Sequence, residues 1–167
     1  MNRYIPFVIF FFSTLLIFII ILGLKKTKHN IFLYCASFIY LNCVWWLILH
    51  PNSSFGVDYY YMPHFFFKNA KIVYKVCGLT DPSTFLNITM TIPAGIMIHL
   101  YLKNWLNVIT VILCAIMIGF FNEGTQFLFD ILFNLNRTVD ITDVCTNSLG
   151  VLIGYIMTKY GVNSPTS

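Results

Sequence analysis

Four of the six acidic residues of this 167-residue chain lie close together near its C-terminal end: Glu123, Asp130, Asp140 and Asp143. Arg137 stands among them, and apolar sequence flanks the group on both sides. Ionisable groups inside or beside a membrane helix are costly and mark function by default. Carboxylates on neighbouring helices can bind cationic or hydrogen-bonding groups, act as acid and base, or hold a divalent cation through oxygen. A guanidinium can pair with those carboxylates or offer its fork to a phosphate.

The spacing sorts these residues into stripes. Glu123, Gln126, Asp130 and Asn134 are 3, 4 and 4 positions apart. On a helix they share an arc of about 80°, with Phe127, Phe129 and Phe133 off it. Asp140, Asp143, Asn147, Gly150 and Gly154 are 3, 4, 3 and 4 positions apart and share a second arc of about 80°. Its glycines have the small-xxx-small spacing that lets another helix pack close. Asn87, Thr91 and Ala94 make a weaker third face. Three polar faces at one membrane depth, with Arg137 in the connection above them, predict a polar pocket at one end of a helical bundle. A purely structural account competes with this one. Asp140 and Asp143 would stand in the first turn of a helix, where carboxylates cap it and favour its positive end. Arg137 would then neutralise them, and Asn147 would hydrogen-bond a neighbouring helix. Capping leaves Glu123 and Gln126, on another helix, unexplained.

Helices must position these faces, and the composition says where. Hydrophobic residues make up 58% of the chain, charged residues 10%, and mean hydropathy is +0.77. A soluble domain of this size could not bury that much apolar surface. The fold class expected is all-α: a polytopic membrane bundle of about five transmembrane helices, with a long loop between the second and third. Residues 1–167 form a single membrane domain. The apolar runs are Ile5 to Leu24, Ile31 to Leu49, Leu86 to about Leu102, Trp105 onward, and Ile141 to about Tyr160. If the fourth continues to Phe133 it is about 44 Å long, so it must tilt, break near Gly124 or project. Trp45 and Trp46 end the second run, where an aromatic belt would sit. The long loop carries Tyr59 to Phe67, too short to span and too aromatic to float free, so it lies at the interface or plugs back between helices. Lys68, Lys71 and Lys75 follow at helical spacing and predict a short amphipathic surface helix.

Basic residues set orientation. Lys25, Lys26, Lys28, Lys103 and Lys159 fall on one side of a five-helix arrangement, and Arg3, Lys68, Lys71, Lys75 and Arg137 on the other. The tight Lys25–Lys28 cluster outweighs the lysines of the long loop. This predicts the N-terminus outside, the C-terminus cytoplasmic, and the acidic residues at the outer side. The net charge of +4 reflects this topology and does not point to nucleic acid. The cysteines at 35, 43, 77, 114 and 145 have no metal-knuckle spacing and read as small buried hydrophobes. His29 and His50 sit at helix ends, and His99 lies off the polar face. No metal or cofactor is expected, and no His-Glu-x-x-His, Gly-x-Ser-x-Gly or phosphate-binding glycine loop occurs.

Glu123-x-x-Gln126, Asp140-Ile141-Thr142-Asp143-Val144, and Asn147 with Gly150 and Gly154 together resemble the VanZ-like family of small bacterial membrane proteins. Asn87-Ile88 and Ile92-Pro93-x-Gly95 resemble that family's third-helix signature, so the resemblance covers about 87–155. It implies a multi-pass plasma-membrane protein of the cell envelope, in a family whose namesake lowers susceptibility to teicoplanin. Three readings follow. In the first, Asn87, Glu123, Gln126, Arg137, Asp140, Asp143 and Asn147 bind a lipid-linked envelope precursor, a glycopeptide or a membrane lipid. In the second, the chain is a membrane-embedded enzyme acting on a lipid-linked phosphate or sugar, although no clear nucleophile is present. In the third, it is a structural or immunity subunit.

Overall fold

A computed structural model describes residues 4–24, 31–50, 62–102, 105–135 and 137–161. Helices dominate: α1 (Ile5–Leu24), α2 (Ile31–Leu49), α3 (Pro82–Leu102), α4 (Val108–Phe133) and α5 (Ile141–Gly161). All five are long and apolar enough to cross a membrane, as composition predicts. A small sheet supplements them: β1 (His64–Phe67), β2 (Ala70–Val73) and β3 (Thr138–Asp140).

The ends of the helices follow from local chemistry. Pro82 opens α3, a position where its missing N–H is not needed. Asn107 caps α4 in a reciprocal box with Thr110: the Thr110 N–H donates to Asn107 Oδ1, and the Asn107 N–H donates to Thr110 Oγ1, each at 2.9 Å. α4 runs 26 residues without a break at Gly124. It stops at Asn134, which takes the left-handed conformation (φ 53°, ψ 57°) and donates its N–H back to Asp130 O. That reversal sends Leu135 into the core, where it is fully buried among Val44, Ile48 and Leu49 of α2.

α5 is the central element, packed chiefly against α3 and then α4. Glycines make the α3–α5 crossing possible. A methyl group on Gly154 would collide with Ile92 O, and one on Gly95 with Val151 O. Backbone therefore meets backbone, as the small-residue spacing predicts. Thr91 Oγ1 donates to Asn147 O at 2.8 Å across the same interface. α1 and α2 pair through rings at the periphery: Phe10 stacks on Trp45 at 3.8 Å and Phe18 on Phe38 at 4.7 Å. Tyr40 of α2 donates to Met90 O of α3 at 2.9 Å, and Trp45 packs edge-on against Phe121 of α4.

The expected surface helix at Lys68, Lys71 and Lys75 is absent. β1 and β2 form an antiparallel hairpin in which Phe67 pairs with Ala70 across a two-residue turn. Lys68 has φ 54°, the positive value that tight hairpin turns demand. The aromatic and β-branched residues on either side favour extended backbone, and that preference overrides the three- and four-residue spacing of the lysines. β2 then pairs in parallel with β3, placing Lys71 opposite Thr138 and Val73 opposite Asp140. The Tyr59–Tyr61 part of the aromatic loop lies outside the described residues. So does the Lys25–Lys28 cluster.

Candidate functional site

The polar stripe of α4 survives as a physical surface except at Asn134, which leaves the helix as its left-handed cap and is exposed. Asn122, Glu123, Gln126 and Asp130 are all buried. What the stripe faces is the short connection from Arg137 to Asp140. Glu123 Oε2 accepts the Asp140 N–H at 3.1 Å, and its other oxygen accepts from Gln126 Nε2 at 3.4 Å. Gln126 Oε1 in turn accepts from Arg137 Nε at 3.4 Å, and Asp130 Oδ1 accepts the Arg137 N–H, also at 3.4 Å. Three successive side chains of α4 therefore cradle the segment leading into α5.

Asp140 is not a residue of the α5 helix, as the stripe assumed. It ends β3, and its Oδ1 accepts the Thr142 N–H at 2.7 Å. This is the bond of a helix-capping carboxylate, satisfying one of the amides that the first turn leaves unpaired. Burial pushes the Asp140 carboxyl above the usual carboxylate range, with a smaller push from Asp81, while the Thr142 bonds pull the other way. Thr142 also accepts the Cys77 N–H through Oγ1 at 3.0 Å, tying the end of the long loop to the start of α5.

Asp143 occupies the first turn of α5 and is half-buried. The Asn87 side chain of α3 lies within hydrogen-bonding reach of it, and the Arg137 charge acts on it favourably. The same guanidinium acts on Glu123, and the Glu123, Asp140 and Asp143 charges all lie close enough to interact. One turn deeper, Asn147 is 1% exposed and its Oδ1 has no hydrogen-bond partner among the described residues. Asn122 Nδ2 is likewise buried without a partner.

All seven residues singled out by spacing (Asn87, Glu123, Gln126, Arg137, Asp140, Asp143 and Asn147) therefore belong to one end of the α3–α4–α5 unit. Contacts and charge interactions link Asn87, Asp143, Arg137, Glu123, Gln126 and Asp140 directly. Asn147 lies on the same helix face as Asp143, one turn in. Asp130 and Thr142 join the network as well. Asp130 was legible as a stripe member, but its partner, a backbone amide of the connection, was not. An apolar groove of about 430 Å³ lies elsewhere, between α4 and α5. Ile116, Phe120, Cys145 and Leu149 line it, on the side of α5 turned away from Asp143 and Asn147. Among the described residues, no group of three His, Cys, Asp or Glu side chains is placed to hold a metal ion.

Comparison with known proteins adds one match. The family model described as VanZ/LLP1 matches residues 7–161, so the likeness reaches α1 and α2 and extends well beyond 87–155. No curated protein and no solved structure matches.

Proposed function

The chain belongs to the VanZ/LLP1 family, and from that premise we propose that this multi-pass membrane protein binds an amphiphilic ligand of the bacterial envelope at its polar end. The ligand class is a lipid-linked precursor, a membrane lipid or a teicoplanin-type glycopeptide. The observation that carries this reading is a division of labour within the cluster. Glu123 and Asp140 are spent on backbone amides, at Asp140 N and Thr142 N. Asp143, Arg137 and Asn87 are only half-buried at the same end. The first pair builds the site, and the second group, bonded within the protein but still partly accessible, is the part that a ligand would meet. Asp143 meets donors or cations, Arg137 meets phosphate or carboxylate, and Asn87 fixes orientation.

The positive-inside rule supports an extracytoplasmic position for this end, because Lys25, Lys26 and Lys28 precede α2 in sequence and the early part of α2 lies beside the end of α3 remote from Asn87, with Ser37 and Tyr101 hydroxyls 3.0 Å apart. The plasma membrane is then the membrane concerned, with the N-terminus outside and the C-terminus cytoplasmic. The test is teicoplanin susceptibility of a bacterial host expressing the protein, compared with Asp143→Ala at equal membrane abundance. The expected outcome is that the parent lowers susceptibility and the variant loses that effect. An effect that survives the substitution removes Asp143 from the binding role.

A further inference from the structure

We propose that Asp143 and Asn147 together hold a primary ammonium group in the head of the ligand. This rests on the reading of the cluster as a ligand site and narrows the chemistry it selects. Asp143 and Asn147 are four positions apart on α5, so their side chains stand one above the other on one face. Asn147 is 1% exposed, and its amide oxygen has no hydrogen-bond partner among the described residues. The neighbouring hydroxyl of Thr91 shares its single proton among the backbone oxygens of Asn87, Ile88 and Asn147, at 2.8, 3.2 and 2.8 Å, and does not serve the Asn147 amide oxygen. A buried acceptor left in that state is costly. Above it stands a carboxylate, also an acceptor, so the pair calls for a donor with more than one N–H.

The local charge points the same way. Glu123, Asp140 and Asp143 interact with one another, and Arg137 brings one positive charge to Glu123 and Asp143. A cation beside Asp143 favours that group's ionised form against burial and the neighbouring carboxyls. A primary ammonium carries that charge and three N–H donors. One donates to Asp143, another to Asn147 Oδ1, and the third remains for the rest of the head group or for water. A trimethylammonium carries the charge without the donors and leaves Asn147 as it was.

Native mass spectrometry of the full-length protein in detergent tests this, by comparing retention of phosphatidylethanolamine, phosphatidylcholine and phosphatidylglycerol. A second pair of probes, an alkyl 2-amino-2-deoxyglucoside and its 2-hydroxy counterpart, separates an amino-sugar head from a phospholipid head. The expected result is that amine-bearing members are favoured about tenfold or more over their matched partners in at least one of the two series, the size of a hydrogen bond to a charged group. Asp143→Asn and Asn147→Leu abolish that preference. Asp143→Glu keeps the carboxylate and retains the preference, which guards against mere loss of folding in the other variants. Equal retention of amine and non-amine partners in both series overturns the proposal, as does a preference unmoved by Asp143→Asn and Asn147→Leu. If no amine preference is found while Asp143→Ala still abolishes the effect on susceptibility, the ammonium assignment falls and the ligand site stands.

Discussion

The most apolar window of α1 has a mean hydropathy of 3.0 with 6% of it buried in the protein, whereas in α5 the values are 1.2 and 44%. The two helices meet different solvents. α1 pairs with α2 through aromatic rings, and Ile9, Phe12, Leu16, Ile17 and Ile19 are left exposed for lipid. α5 is surrounded by α3, α4 and the sheet, so its side chains are chosen for fit and hydrogen bonding. Hydrophobicity falls where protein replaces lipid as the neighbour. In a membrane the least hydrophobic span is therefore the best candidate for the centre of the fold.

That contrast is sharpest at glycine. Gly154→Ala places a methyl group on Ile92 O, a backbone atom that cannot rotate away. We predict a loss of about 3 kcal/mol or more, at the upper end of overpacking costs, read as loss of monodisperse protein or a lowered melting temperature. The same change at Gly23 in α1 meets nothing within 4 Å among the described residues and is predicted to cost no stability. Equal effects at the two sites would break the comparison.

The polar bonds sharpen it at smaller scale. Glu123→Ala leaves the buried Asp140 amide without its acceptor, at a predicted cost of about 1–3 kcal/mol. Asp140→Ala removes the cap of α5, at about 1 kcal/mol. Asp140→Asn keeps a capping oxygen and removes a carboxylate that burial disfavours in its charged form, so it is predicted to be close to neutral at pH 7. The sign follows from the raised pKa: the native state favours the protonated form, so this group's contribution is greatest at low pH and falls as pH rises through its folded value. A measured cost for Asp140→Asn equal to that of the alanine variant would contradict it. On the lipid side, Thr14 Oγ1 bonds Asn42 Oδ1 at 3.2 Å while also bonding its own helix. Thr14→Ala is predicted to cost under about 1 kcal/mol, the smallest effect of the set, measured by thermal melting in the same detergent.

Legibility in the sequence followed the range of the interactions. The five spans and the stripe Glu123–Gln126–Asp130 depend on local apolarity and helical phase, and both were readable. Close packing of some helix on α5 was readable from Gly150 and Gly154, but not that the helix is α3. The sheet was not, because β2 finds its partner β3 far along the chain, with Lys71 opposite Thr138. The mistaken helix at Lys68–Lys75 has a local cause instead: the aromatic and β-branched residues favour a hairpin, and the lysine spacing was weighed above them. Range is again the reason that Glu123 pointed to chemistry while its partner stayed hidden. The donor is a backbone amide in a segment that looked like plain connection.

The parallel pairing of β2 with β3 also bears on biosynthesis. β2 leaves the ribosome before α3 and α4, and β3 leaves after them, so the sheet cannot close until both helices have been made. During that interval Glu123, Gln126 and Asp130 have neither the Arg137–Asp140 segment nor α5 to face. At a synthesis rate of about 5–20 residues per second the wait lasts on the order of seconds. α4 therefore enters the bilayer as an incomplete span whose carboxylates and amide must be shielded by water, the insertion machinery or protonation. Closure of the sheet thus waits for α3 and α4 and falls just before α5, the last span, is made.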